Sequence, residues 1–197
     1  THRIEGPGGS LSLAAYGALR RAWRAGTLLE GDAPITGFAP LLEGRLTLPD
    51  GSPLRLLGID PFSSLRQESF ASTAEAPSLS WARFLTSPGA ALLSPSVGPE
   101  LAPGDRLPLP GAPPLTVLGR LPSSDGDAAP LALAVVDLAT AQEWLGATDR
   151  LSRVELALPE APPRNVLRRG LERLFPGLLL PEATPAVRLA PALRAAY

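Results

Sequence analysis

Two alternating runs flank strong turn chemistry between residues 42 and 59. Leu42-Glu43-Gly44-Arg45-Leu46-Thr47-Leu48 leads into Pro49-Asp50-Gly51-Ser52, and Pro53-Leu54-Arg55-Leu56-Leu57-Gly58-Ile59 follows. Period-two alternation sends successive side chains to opposite faces of a strand, and Asp-Gly suits a tight reversal. The segment is therefore expected to be a β-hairpin, with Ile35 to Pro40 leading into its first strand. A lone hairpin is marginal in water, so further strands or helices must cover one of its faces.

The rest of the chain supplies both. Ser10 is the expected N-cap of a helix over 11–25, with Leu13, Tyr16, Leu19 or Arg20, and Trp23 as its stripe and Gly26 as its stop. The Gly6-Pro7-Gly8-Gly9 cluster reads as a turn, because no Lys-Ser/Thr follows it as a phosphate loop requires. Residues 63–79 are polar and read as a loop, and 63–78, which bury little, are the internal segment expected to be least ordered. A short helix at 79–85 carries Trp81 and Phe84, which are the candidates for contact with a partner or substrate. Trp23 and Trp144, on amphipathic helices, are expected in the core.

From 90 to 122 the texture changes to short, Pro-flanked strands at 90–94, 106–109 and 115–121, with one helical turn expected at 95–101. This stretch is expected to form a small β-rich subdomain. Residues 123–127 are a polar linker; Asp125 and Asp127 provide too few ligands for a calcium loop. Residues 131–136 are the most continuous apolar run and predict a buried strand. Asp137 then caps a helix ending near Gly146, a strand follows at 154–158, and Pro162-Pro163 open an Arg-rich helix. Residues 178–180 read as a last strand, and 183–197 as a tail. Helices interleaved with strands on both sides of a β module make the expected class α+β.

Composition removes most chemistry. All 18 basic residues are arginine, lysine, cysteine and methionine are absent, and His2 is the single histidine. A Schiff base, a P-loop lysine, a thiolate and a zinc–thiolate site are excluded, and one histidine at the second position leaves no Ser-His-Asp triad. A net charge of -1 argues against nucleic acid as partner. No catalytic residue, no cofactor and no metal ligand set is expected. The best carboxylate pair is Asp60 with Asp137, both at strand ends, and turn and cap roles explain them better. Arginine without lysine, with 24 Pro and 19 Gly, is the usage expected of a GC-rich bacterial genome. A start at Thr1-His2-Arg3 rather than Met is expected of a segment of a longer protein, and no signal peptide or apolar run long enough to span a bilayer is expected within it.

Three stretches in order carry a family resemblance. They are the strand ending Gly58-Ile59-Asp60-Pro61, the run from Leu92-Leu93-Ser94-Pro95 through Pro103-Gly104-Asp105-Arg106 to Leu115-Thr116-Val117-Leu118-Gly119, and Ala134-Val135-Val136-Asp137-Leu138 through Trp144-Leu145-Gly146. Together, over residues 28–180, they resemble the extracytoplasmic core domain of FtsX-like ABC transporter permeases, the group that includes MacB and LolC/LolE. The resemblance implies a porter-like α+β subdomain from 1–89 and 123–197, with a Sabre-like β-rich subdomain inserted at 90–122. It implies a non-catalytic domain on the periplasmic or extracellular side of a cell-membrane protein. Its implied partners are a cytoplasmic ATP-binding subunit acting through membrane helices, a second permease copy or paralogue, and an extracytoplasmic protein. ATP hydrolysis inside would be coupled mechanically to handling of a lipid, lipoprotein or peptide outside. The alternative is a regulatory domain controlling a partner such as a cell-wall hydrolase. A domain between two membrane spans is further expected to bring its two ends to one side.

Overall fold

A computed structural model describes residues 2–28, 35–63, 81–121, 132–157 and 164–176. The loop expected at 63–79 falls outside these apart from Ser63; Thr1, the linker at 123–127, the strand at 178–180 and the tail through Tyr197 lie outside them, so the expectation that the two ends share one side falls there too.

Among the described residues, ten strands and four α-helices follow one another in an α+β order. The strands are β1 (His2–Ile4), β2 (Leu11–Ser12), β3 (Gly37–Thr47), β4 (Pro53–Ile59), β5 (Ala90–Leu93), β6 (Arg106–Leu109), β7 (Ala112–Arg120), β8 (Leu133–Asp137), β9 (Arg150–Leu151) and β10 (Arg153–Ala157). The helices are α1 (Leu13–Arg24), α2 (Trp81–Thr86), α3 (Leu138–Trp144) and α4 (Arg164–Leu174). Eight strands form one sheet in the order β1-β10-β3-β4-β8-β5-β7-β6, while β2 and β9 pair separately. The β4–β8 and β5–β7 pairs are parallel and the others antiparallel.

The hairpin expectation holds, with Thr47 opposite Pro53. Its turn closes on itself: Gly51 N–H donates to Leu48 O, and Asp50 Oδ1 accepts from the Ser52 amide and hydroxyl. Gly51 adopts a φ of 84°, which a side chain would resist. The buried strand at 131–136 is β8, at the centre of the sheet.

Strand alternation sorts the helices. Phe38 and Leu42 on β3, Leu56 on β4 and Val136 on β8 face α1, α3 and α4. Leu41, Leu57 and Val135 face the other way, where Phe84 of α2 packs against them. α3 lies close to the sheet because two strand positions lack a side chain. A Cβ at Gly58 would come within 2.3 Å of Ala141 Cβ, and one at Gly44 within 2.4 Å of Leu145 Cδ2.

Four expectations are corrected. The cap of α1 is Ser12, whose Oγ accepts from Ala15 N–H at 3.2 Å, not Ser10. Leu11 and Ser12 are drawn into a strand by Leu151 and Arg150, a pairing remote in sequence. Starting the helix later leaves Leu13 38% exposed rather than in the stripe. No helical turn forms at 95–101. There the chain folds around Arg120, whose guanidinium donates to the carbonyls of Ser94, Val97, Gly98 and Leu101.

The strands expected as a separate module at 90–122 occupy one end of the sheet. They are continuous with it: β5 pairs with β8, and Leu93, Leu107 and Val117 share one core with Leu56 and Ala141. Any boundary at 90–122 is therefore one within a continuous sheet. Among the described residues no helix is long and apolar enough to cross a membrane.

Candidate functional site

β3 carries Leu41, Glu43 and Arg45 on one face, and only Leu41 of these is covered by the α2 cluster. Beyond it the face turns polar. Arg55 Nη2 donates to Glu43 Oε2 at 2.6 Å, and Arg153 on β10 forms an ion pair with Glu43 Oε1. Arg153 Nε also donates to Glu155 Oε1 at 3.0 Å. Its side chain is only 8% exposed.

The electrostatics follow from this packing. Burial works to raise the Glu43 carboxyl, but Arg153 and the hydrogen bond from Arg55 outweigh it and hold the group below its ordinary value of 4.5. Burial likewise works to lower Arg153, and Glu43 with Glu155 reverses that. Both groups therefore stay charged, as a buried pair must to avoid an uncompensated ion.

Ser152 completes the junction. Its amide donates to Leu41 O at 2.9 Å, and its hydroxyl takes the Glu43 amide at 2.8 Å while donating to Glu43 O at 3.3 Å. The hydroxyl thus serves both backbone groups of Glu43 where the β10 ladder ends. An open hollow of ≈ 250 Å³ adjoins it, lined in part by Ser10, Glu43, Leu145, Arg150 and Ser152. Among the described residues the Ser152 hydroxyl bonds the Glu43 backbone, so this junction braces the sheet.

Asp60 and Asp137 end neighbouring parallel strands, with Ile59 in register with Asp137. Each is used locally, as the sequence implied. Asp60 Oδ1 accepts from Phe62 N–H at 2.9 Å. Asp137 Oδ1 accepts from Ala139 and Thr140 N–H at 2.9 and 3.0 Å, capping α3, and its Oδ2 takes the Thr140 hydroxyl. Among the described residues no group of three or more His, Asp or Glu is placed to hold a metal ion.

Of the two candidate contact residues, Phe84 is fully buried against Leu41, Ile59 and Leu133 and presents no surface. Trp81 opens α2, and its side chain lies outside the described residues. Among the described residues the most exposed large apolar side chain is Phe62, at 74%. Trp23 and Trp144 pack against the core as expected. Trp23 stacks on Phe38 with ring centroids 5.0 Å apart, and Trp144 Nε1 donates to Pro113 O at 2.8 Å, tying α3 to β7. Tyr16 joins Phe38 at 5.7 Å, and burial, opposed by Arg20 and reinforced by Asp60, raises its hydroxyl.

Sequence reasoning missed the Glu43–Arg55–Arg153–Glu155 lattice. Its trace in the sequence is charge at alternate strand positions, Glu43 with Arg45 and Arg153 with Glu155, but nothing local says which strands meet.

The eight-stranded sheet with helices on both faces is similar in fold to two solved extracytoplasmic domains of ABC-type transporters. In particular, the chain resembles the extracellular domain of the ABC-type transporter YknZ from Gram-positive bacteria, with a TM-score of 0.59 and 13% identity over 91% of this chain and 98% of that one. It also resembles the periplasmic region of MacB from Actinobacillus actinomycetemcomitans, with a TM-score of 0.51 and 14% identity over 91% of this chain and 87% of that one. The expected α+β, MacB-like fold is therefore present. No protein-family model and no curated protein matches the sequence.

Proposed function

We propose that the chain is a non-catalytic extracytoplasmic domain of a bacterial ABC transporter permease. It passes motion, driven by ATP hydrolysis in a cytoplasmic subunit, to a lipid, lipoprotein, peptide or similar substrate outside the bilayer. The observation that carries this reading is the likeness to two transporter domains across nearly the whole chain. The physical requirement is stiffness, and the ion lattice across β4, β3 and β10 is a device that resists shear between strands. A second permease copy or paralogue would present a paired domain, and no step uses a cofactor.

This chain carries no cysteine of its own, so an introduced one is the single thiol within it. Single cysteines placed along exposed positions of β6 and β7 in the membrane-embedded parent should cross-link across the paired domains at rates that change between the ATP-bound and nucleotide-free states. Rates indifferent to nucleotide at every position, or a parent reading frame with no membrane spans beside this segment, would remove the proposal.

One observation favours the regulatory alternative. Phe62 and Leu85, at 74% and 38% exposure, flank residues 64–80 in sequence and offer apolar contact to an extracytoplasmic protein such as a cell-wall hydrolase. Phe62→Ser should then abolish activation of that enzyme while leaving the cross-linking response intact.

A further inference from the structure

β3 is longer than the strand beside it. It runs from Gly37 to Thr47, but β10 pairs only with residues 37–41, while β4 covers 41–47 on the other side. Among the described residues no strand pairs with 42–47 on the β10 side. Antiparallel pairing alternates the direction of the backbone groups along a strand. Leu48 N–H donates to Ser52 O, so the even-numbered residues of this stretch turn toward β4. Glu43 N–H turns the other way, to the Ser152 hydroxyl. Arg45 and Thr47 are in phase with Glu43, and both are exposed. Their N–H and C=O groups form a short open edge.

That edge differs from the two outer strands of the sheet. β6 contains Pro108, which supplies no N–H, and its register shifts between Leu107 and Leu109. β1 is 3 residues long. Proline, irregular register and shortness all protect an edge against unwanted pairing. At 45–47 the guard is a charge. Arg45 stands opposite Arg55, so two like charges already share one face. A basic strand would add to that repulsion, and a second copy of the chain would bring its own Arg45 and Arg55. An acidic side chain directly across from Arg45 would relieve it. The hollow of ≈ 250 Å³ where β10 ends gives an incoming strand a place to finish. Glu43 lines it with a charge already matched by Arg55 and Arg153, and Arg150 lines it as an exposed cation.

We propose that the β3 edge at 45–47 receives an extended acidic segment of another protein by antiparallel strand addition. Backbone bonds at Arg45 and Thr47 hold the segment, and Arg45, with Arg150 at the hollow, selects carboxylates over cations. Such an edge captures a peptide whether or not the chain couples to ATP hydrolysis, so failure here leaves the transporter reading untouched.

The test adds an acetylated, amidated peptide of alternating valine and glutamate to the isotopically labelled full chain. The Arg45 and Thr47 amides should exchange rapidly in the free chain, then shift and exchange more slowly with peptide. Protection of both amides in the free chain would overturn the proposal, because the edge would already be occupied. Glutamates placed across from Arg45 turn their N–H groups to β3, and the valines turn theirs outward. N-methylation of the glutamates should therefore abolish binding, and N-methylation of the valines should preserve it. Equal binding by both would reduce the contact to charge and sink strand addition. Arg45→Glu should weaken binding about tenfold, as attraction becomes repulsion at one cross-strand position, and should take up a valine–lysine peptide instead. Thr47→Pro removes an edge N–H that serves no β4 bond and should also lose binding. Arg106→Glu, at an exposed position of β6, should bind like the parent, and thermal melting checks that each variant folds. No amide shift at the highest soluble peptide concentration, or an equal loss in Arg106→Glu, would overturn the proposal. A concentration-dependent dimer that Thr47→Pro abolishes, without peptide binding, would overturn it in favour of a second copy.

Discussion

Two arginines, at opposite ends of the sheet, solve the same burial problem with different partners. Arg120 closes the loop after β5 by donating to four backbone carbonyls. Arg153 sits between two carboxylates, Glu43 and Glu155, and Glu43 is shared with Arg55. A carbonyl does not titrate, so the first brace is expected to be indifferent to acid. A carboxylate does, so the second depends on the charge of its partners. The difference also bears on specificity. Any sequence can supply carbonyls to a guanidinium if the loop curls correctly, whereas the second brace fixes which three strands lie together.

The largest expected effect comes from Arg153→Met, which leaves Glu43 and Glu155 without their buried partner and should cost about 3–5 kcal/mol in urea unfolding. A loss below about 1 kcal/mol would mean that the lattice contributes little to holding β10 against β3. Arg120→Met should cost less, about 1.5–3 kcal/mol, because the freed carbonyls can partly turn to water. Its signature is faster amide exchange confined to residues near 94–105. Exchange that rises equally across β3 and β10 would erase the distinction between the two braces.

Between the two regions lies the close approach of α3. Gly58→Ala should destabilise by about 1–3 kcal/mol through overpacking against Ala141, and Ala141→Gly in the same chain should recover part of it. Additive losses in the double variant would show that the two positions do not meet.

Acid sharpens the comparison further. Glu43 lies below its ordinary 4.5, so its stabilising contribution is complete above that pH and is lost as pH falls through the folded value. Unfolding measured from neutral pH downward should show a shallower acid decline in Glu43→Gln than in the parent. Arg120→Met should keep the parental slope.

The smallest effect concerns Arg45, which stands opposite Arg55 in the hairpin register. Like charges in that position repel, so Arg45→Glu should stabilise by about 0.2–1 kcal/mol, measurably less at high salt. Destabilisation would indicate that Arg45 has a role outside its own strand pair.

What could be read in advance depended on how far an interaction reaches along the chain. The turn at 48–52 is made by contacts within that segment, and the Asp137 cap by contacts two and three residues away. Their residue types therefore announced them. The Ser10 cap was misplaced for the opposite reason. Ser10 and Ser12 are equally good caps locally, and Leu11 pairing with Leu151 chose between them. Phe84 sits on a helix whose apolar side was evident, but only the α2 side of the sheet shows that Phe84 is consumed by the core.

By itself, the sequence determined that this chain offers no thiolate or lysine chemistry, that a hairpin stood at 42–59, and that Asp137 capped α3. These depend on residue type or on neighbours a few positions away. Only the tertiary structure decided that Ser152 would serve the backbone of Glu43 from 109 residues away, that Arg153 would share Glu43 with Arg55, and that the strands from 90 to 120 would extend the main sheet. The physical reason is that a charged or hydroxyl side chain accepts many partners of nearly equal intrinsic strength. Strand register, set by burial over the whole sheet, is what brings one of them within reach.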